Sequence, residues 1–420
     1  MTHRIFLLLT SLGALAVQAQ DAPPPTPQEQ FFDDTVLHDI RLDLPPAEWK
    51  KLQDNFHDNT YYQATLRWRD QVVEKVGIRS EGRVSRRANK PGLVVDINRY
   101  VDGQEFVKLS SFVLKNNIQD LSFIKERLAM QLYAKMGVPA PRETHARVFI
   151  NDNYLGLYGV IESTDKKFLK RTVGENDGYL YEWVFQDGYR FQYLGDNPDL
   201  YSPAPFKPET NESKPQPKPL EALIRAINQS SDADFTKAVG EYLDLKKFLS
   251  MLAVESYLAE FDGILSLVGV NNLYFYRLEK KNVGLFIPKD KDNTFDSPDF
   301  PMLRYAKDNV LVRRALANPE LRDFFASEVM RAANFCGNED GWLERELDRE
   351  AALIREAAYQ DTGKECIDKP CTLAQSNIDF ERQIEYMRWI AHIRRGIVLK
   401  ELTDNGMPPP APAAVAPPAN

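Results

Sequence analysis

Three short stretches collect side chains suited to a hard divalent cation and a phosphate: Glu260-Phe261-Asp262-Gly263, Asn271-Asn272-Leu273-Tyr274, and Ile287-Pro288-Lys289-Asp290-Lys291-Asp292-Asn293-Thr294-Phe295. Carboxylates and amide oxygens ligate Mg2+, and a further carboxylate can accept a proton from an incoming hydroxyl. Phosphoryl transfer is the chemistry this combination fits, with Asp262 as the base and Asn271, Asn272, Asp290 and Asp292 as metal ligands. Singly, an Asp-Gly or Asn-Asn pair is an ordinary turn, so the signal lies in their order and closeness. A calcium loop starting at Asp290 fails, because Phe295 stands where Gly is needed and Pro301 where Glu is needed.

These residues need elements to hold them. An apolar helix spanning 245–261 leads into Asp262, a strand at 273–276 follows the Asn pair, and a strand at 283–287 precedes the two Asp residues. Upstream, apolar and polar side chains alternate at 36–44 and 62–68, and the meander continues at 72–79 and 93–97. A helix is expected from Asp120 or Ser122 to Met136, where Gly137 and Pro139 end it. Strands 146–151 and 154–161 flank the turn Asn151-Asp152-Asn153, and 179–184 reads as another strand. Residues 188–219, rich in Pro, read as an interlobe loop. Helices are then expected at 220–228, 233–242, 309–333, 340–359 and 377–402. The expectation is an α+β chain with a β-rich lobe at 36–187 containing one main helix, and a mostly helical lobe at 220–405 carrying the catalytic and metal loops.

The ends carry a different message. A short basic start, an apolar run from Ile5 to Val17 and Val17-Gln18-Ala19 describe a signal peptide at 1–19, hence a protein exported to the periplasm or beyond the cell. Residues 20–35 read as a Pro-rich linker and 406–420 as a disordered Pro/Ala-rich tail. No later stretch reaches the roughly 18 apolar residues of a membrane helix. With 53 Lys+Arg against 61 Asp+Glu and a net charge of −8, the chain lacks the basic surplus of a nucleic-acid binder. Its three cysteines, Cys336, Cys366 and Cys371, imply one disulfide and one buried thiol. A small ring could close between Cys366 and Cys371, but spacing leaves the pairing open.

From about Val36 to Leu402 the chain resembles the spore-coat CotH kinase family of secreted, atypical protein kinases. The resemblance rests on Val76-Gly-Ile-Arg-Ser-Glu-Gly, the run from Lys115 to Ala129, Gly137-Val-Pro-Ala-Pro-Arg, Asn153-Tyr-Leu-Gly-Leu-Tyr, Ile161 to Leu169, Gly178-Tyr-Leu-Tyr, Asn271-Asn-Leu-Tyr and Ile287 to Phe295. It implies a two-lobed protein-kinase-like fold and transfer of phosphate from ATP to Ser or Thr of a protein, with Mg2+ or Mn2+ bridging the phosphates. By the same resemblance Asp262 takes the catalytic-loop position and Asp290 with Asp292 the metal-binding acidic motif. Glu162 is then a nucleotide-pocket candidate, and Arg79, Arg83 and Lys90 candidate phosphate contacts. The chain departs from the family pattern at Glu81, Lys289 and Asp296, which leaves open a degenerate member acting as a binding or envelope-structural module. A glycoside hydrolase using two carboxylates, with Tyr181, Trp183 and Tyr189 as sugar platforms, is the third alternative.

Overall fold

The computed structural model describes residues 24–407; the expected signal peptide, the first residues of the linker and nearly all of the expected tail lie outside them. Chain order begins with α1 (Pro27–Phe31), β1 (His38–Asp43), α2 (Pro46–Asp54), β2 (Tyr62–Trp68), β3 (Gln71–Glu81), β4 (Gly92–Asp96), β5 (Ser111–Lys115), α3 (Lys125–Lys135), β6 (Glu143–Ile150) and β7 (Asn153–Glu162). The strands close into a barrel in the order β1-β2-β3-β4-β5-β7-β6, sealed by parallel pairing of β1 with β6. Alternation explains its two faces: Ile78, Leu93, Val95, Phe112 and Leu114 are fully buried in the barrel core. Their neighbours Arg79, Val94, Val113 and Lys115 point outward and line a cavity. Asn151 and Asp152 join β6 to β7 with φ of 48° and 62°, the left-handed geometry that a two-residue hairpin demands and that Asn and Asp tolerate.

The second half starts earlier than position 187. After β7 come α4 (Lys166–Thr172) and β8 (Tyr179–Trp183), and β8 joins a separate sheet instead of the barrel. Its partners are β9 (Phe206–Pro208) and, beyond α5 (Pro217–Gln229), α6 (Phe235–Gly240) and α7 (Leu245–Tyr257), the hairpin β10 (Leu273–Arg277) and β11 (Gly284–Pro288). The segment expected as a loop at 188–219 therefore supplies an edge strand, β9, and the first turn of α5. Its aromatic side chains Tyr189, Phe191, Tyr201 and Phe206 enter the core of this half.

The remaining helices are α8 (Val310–Ala317), α9 (Pro319–Cys336), α10 (Trp342–Gln360) and α11 (Leu373–Asp404). The single helix expected at 309–333 is two, because Asn318 adopts extended backbone, accepts a bond from the Leu321 N–H at 3.1 Å, and is followed by Pro319 at the first helical position. The helix expected at 245–261 stops at Tyr257, and Ala259 takes a φ of 55°. Arg394 of α11, buried among backbone carbonyls, donates to Ser256 O at 2.7 Å and Tyr257 O at 2.9 Å, satisfying the orphan acceptors at that helix end. Asp262 thus sits in a loop, not on the last turn. Cys366 and Cys371 form a disulfide and Cys336 is a buried thiol. The architecture is α+β, β-rich in its N-terminal region and helical in its C-terminal region.

Candidate functional site

A cavity of about 780 Å3 opens between the outer face of β3, β4, β5 and β7 and the second sheet. At its floor the Lys115 ammonium, ending β5, meets Glu126 of α3, Asp290, and Asp292 Oδ2 at 3.0 Å. One positive charge against three carboxylates leaves the group net negative. Burial works against charge on Lys115, yet the three carboxylates hold its proton more firmly than usual. Burial pushes the Asp292 carboxyl up to about 7 despite the pull of Lys115. Desolvation works in the same direction on Asp290, but Lys115 outweighs it and holds that half-exposed carboxyl below its ordinary range. A divalent cation would relieve this charge imbalance. Among the described residues no three His, Cys, Asp or Glu side chains are placed to hold a metal ion by themselves. Asp290 and Asp292 are two carboxylates on one loop, a donor set that a cation could use only with further oxygens from phosphate or water.

Asp262, Asn271 and Asn272 form a second cluster outside the cavity lining. Both amides donate to Asp262 Oδ2, at 3.0 Å from Asn271 and 3.1 Å from Asn272, and the Ser266 hydroxyl donates to Oδ1 at 3.4 Å. Asn272 also donates to Asp262 O at 3.0 Å, from a left-handed backbone with φ of 57°. Backbone bonds tie this cluster to the Asp290–Asp292 loop: Phe261 N–H to Asn293 O at 3.0 Å and Lys289 N–H to Asn272 O at 3.1 Å. With their N–H groups committed to Asp262, the two Asn side chains keep their oxygens free to accept.

The expected nucleotide contacts fare unevenly. Arg79 lines the cavity, bonded to the Tyr61 hydroxyl at 3.2 Å and close to Glu81 at 3.6 Å. Glu162 also lines it, but its carboxylate is buried and clasped by Arg142 and Arg171. Arg83 is exposed and lies over the Phe185 ring, outside the lining. Lys90 does not reach the cavity at all. It is fully buried against Asp361 at 2.6 Å, because the loop after β3 turns its stem between Phe123 and Tyr158. The sugar platforms are likewise overturned: Tyr181, Trp183 and Tyr189 are 0%, 5% and 6% exposed and belong to the core of the helical half. Lys289, standing where an aromatic was expected, pairs with Glu182 on the cavity wall and lies over Tyr274.

Lys115 and Glu126, paired at the cavity floor, are candidate site residues that pattern reading passes over. The available signal is a cation ending the apolar strand Phe112-Val113-Leu114, since a buried lysine needs carboxylate partners. Glu260 is also notable. Its Oε1 accepts the Asp262 N–H at 2.8 Å while its Oε2 has no partner, and burial pushes its carboxyl up to about 8 from an ordinary 4.5. The folded chain retains a proton there that the unfolded chain releases above about 4.5. Stability from this group is therefore full below that pH and lost as pH rises toward 8. Glu260→Gln, which mimics the protonated acid, is expected to raise the melting temperature relative to the parent by several degrees at pH 8.5 and hardly at pH 5. Thermal melts at the two pH values check this, and an equal gap at both would contradict it.

Asp290 and Asp292 thus lie beside the Lys115–Glu126 pair at the floor of a cavity between the barrel and the second sheet. A family model described as CotH kinase protein matches residues 78–395, and the chain belongs to that family. Among its relatives are Invasin CotH7 of Rhizopus delemar, 24% identical over 53% of this chain and 39% of that protein, and Inner spore coat protein H of Bacillus subtilis, 27% identical over 50% and 58%. Spore coat protein homolog 1 of Rhizopus delemar is 22% identical over 70% of this chain and 50% of that protein. The chain thus matches about half the length of these relatives. A solved structure described as a Helicobacter pylori proinflammatory kinase, CtkA, covers 76% of this chain and 94% of its own at 12% identity, with a TM-score of 0.25.

Described residues include no helix long and apolar enough to cross a membrane.

Proposed function

We propose that this chain is an exported, metal-dependent kinase of protein-kinase-like architecture that transfers the terminal phosphate of ATP to a Ser or Thr hydroxyl of a protein. The observation that supports it most is the Lys115 ammonium held between Glu126 of α3 and the Asp290/Asp292 pair at the cavity floor. In this reading Lys115 meets phosphate oxygens, and Glu126 keeps its ammonium aimed at them. Asp290 and Asp292, with Asn272 or Asn271, hold Mg2+ or Mn2+, which neutralises charge on the phosphates when bound. Asp262, oriented by both Asn amides, accepts the hydroxyl proton as the oxygen–phosphorus bond forms and the bond to the ADP oxygen breaks. Arg79 and the phosphate-facing end of β3 complete the cavity wall.

Incubating the full chain with radiolabelled ATP, Mn2+ or Mg2+ and a Ser-rich protein tests this. Asp262→Ala is expected to lower transfer by roughly 10²-fold or more with the melting temperature unchanged. Undiminished transfer in that variant would remove Asp262 from the reaction. A binding or structural module is the second reading, favoured by the carboxylates Glu81, Glu182, Glu209 and Glu212 on the cavity wall, which repel polyphosphate. Calorimetry showing no uptake of ATP with either cation would establish it over the first.

A further inference from the structure

Lys291 stands between the two acidic residues of the metal loop, yet its side chain is fully buried and faces away from them. Its ammonium donates to Glu255 Oε1 at 2.7 Å, on the buried face of α7. The other oxygen of Glu255 accepts the Ile264 N–H at 2.8 Å, two residues past Asp262. The backbone there packs so closely on Glu255 that a Cβ at Gly263 would fall 2.6 Å from Oε2 and push the carboxylate from its place. In the opposite direction the Lys291 backbone N–H donates to Glu126 Oε1 at 3.2 Å, the same carboxylate that holds Lys115. A single residue therefore links the cavity floor, the metal loop, α7 and the Asp262 loop.

From this we infer that Lys291 is a positioning residue that fixes the Asp262 loop in register with the Asp290–Asp292 loop. The inference rests on the kinase reading above, in which phosphate is held on one side of this link and the acceptor hydroxyl is presented on the other. In-line transfer needs both within a fraction of an ångström of their place, and a small misplacement removes most of the rate. The link touches neither substrate, so its loss is expected to lower turnover without weakening nucleotide binding.

Lys291→Met alone leaves Glu255 buried and unpaired and loses stability for that reason alone. The informative variant is K291M/E255Q, which removes both charges and keeps an acceptor for Ile264. In the full chain, with MgATP as probe, the expected result is a kcat lower by roughly 10²-fold with KM for ATP within about twofold of the parent. Amide hydrogen exchange at Ile264 and at Lys291 is expected to accelerate by about tenfold or more as the two loops move independently. Parental kcat together with parental exchange would overturn the inference, as would a loss carried entirely by KM. If the parent chain itself transfers no phosphate, the kinase reading fails, and exchange then decides alone: faster exchange in the variant upholds the link and unchanged exchange refutes it.

Discussion

Asp292→Asn is expected to reduce phosphate transfer by about 10² to 10³-fold while leaving the fold at least as stable as the parent. The two halves of this expectation come from one environment. The side chain is 3% exposed and burial pushes its carboxyl up to about 7, so the folded state tolerates the neutral form, which an amide imitates, far better than the unfolded chain does. Lys115 keeps Glu126 and Asp290 as counter-ions, so no buried charge is orphaned. A neutral amide is nevertheless a poor substitute for a carboxylate on a cation that must neutralise phosphate charge, and losing such a group costs a few kcal/mol of transition-state stabilisation. Transfer assays and thermal melts on the same preparation check the pair. Activity within threefold of the parent would exclude Asp292 from the metal site, and a large drop in melting temperature would make any loss of activity uninformative.

The largest effect on stability is expected from Asp361→Ala, at about 3–5 kcal/mol. Asp361 is fully buried; its Oδ2 accepts Lys90 Nζ at 2.6 Å and the Leu157 N–H at 2.9 Å, and its Oδ1 accepts the Gly363 N–H at 2.8 Å. Removing it strands an ammonium between Phe123 and Tyr158, and burial already lowers the affinity of Lys90 for its proton. The double variant Lys90→Met/Asp361→Asn should recover much of the loss, because no unpaired charge is left inside. Denaturant unfolding distinguishes the outcomes, and a cost below about 1 kcal/mol for Asp361→Ala would show that the buried pair contributes little.

Local chemistry made part of this molecule legible in its sequence. The β6–β7 hairpin is readable because Asn151 and Asp152 advertise a left-handed turn between alternating strands, and the Asp262–Asn271–Asn272 cluster because its members fall within ten residues around one loop. β5, Ser111–Lys115, escapes notice although strands of the same length are readable elsewhere, and with it escapes Lys115. Lys90 misleads for the opposite reason: a lysine near a glycine-containing loop resembles a phosphate ligand until its partner, Asp361, is brought in from 271 residues away. Pairings at that range leave no local trace. The break at Asn318-Pro319 was within reach, since an amide before proline is a helix start as well as a helix end.

The Lys90–Asp361 pair carries a kinetic consequence. A barrel joined to a helical body by one strand would be free to swing like a jaw, admitting a ligand and expelling a product. Here α10, by way of Asp361 at its C-terminal end and the Tyr154 hydroxyl bonded to Ala357 O at 2.9 Å, bolts the body to the barrel away from the cavity floor as well. Opening that bolt would cost about 3–5 kcal/mol, holding the gaping state to roughly one molecule in a hundred or fewer. If the chain turns over a nucleotide as proposed, the spent nucleotide would leave through a fixed aperture, and the dwell time of the product, more than the speed of bond making, would set the pace of each cycle.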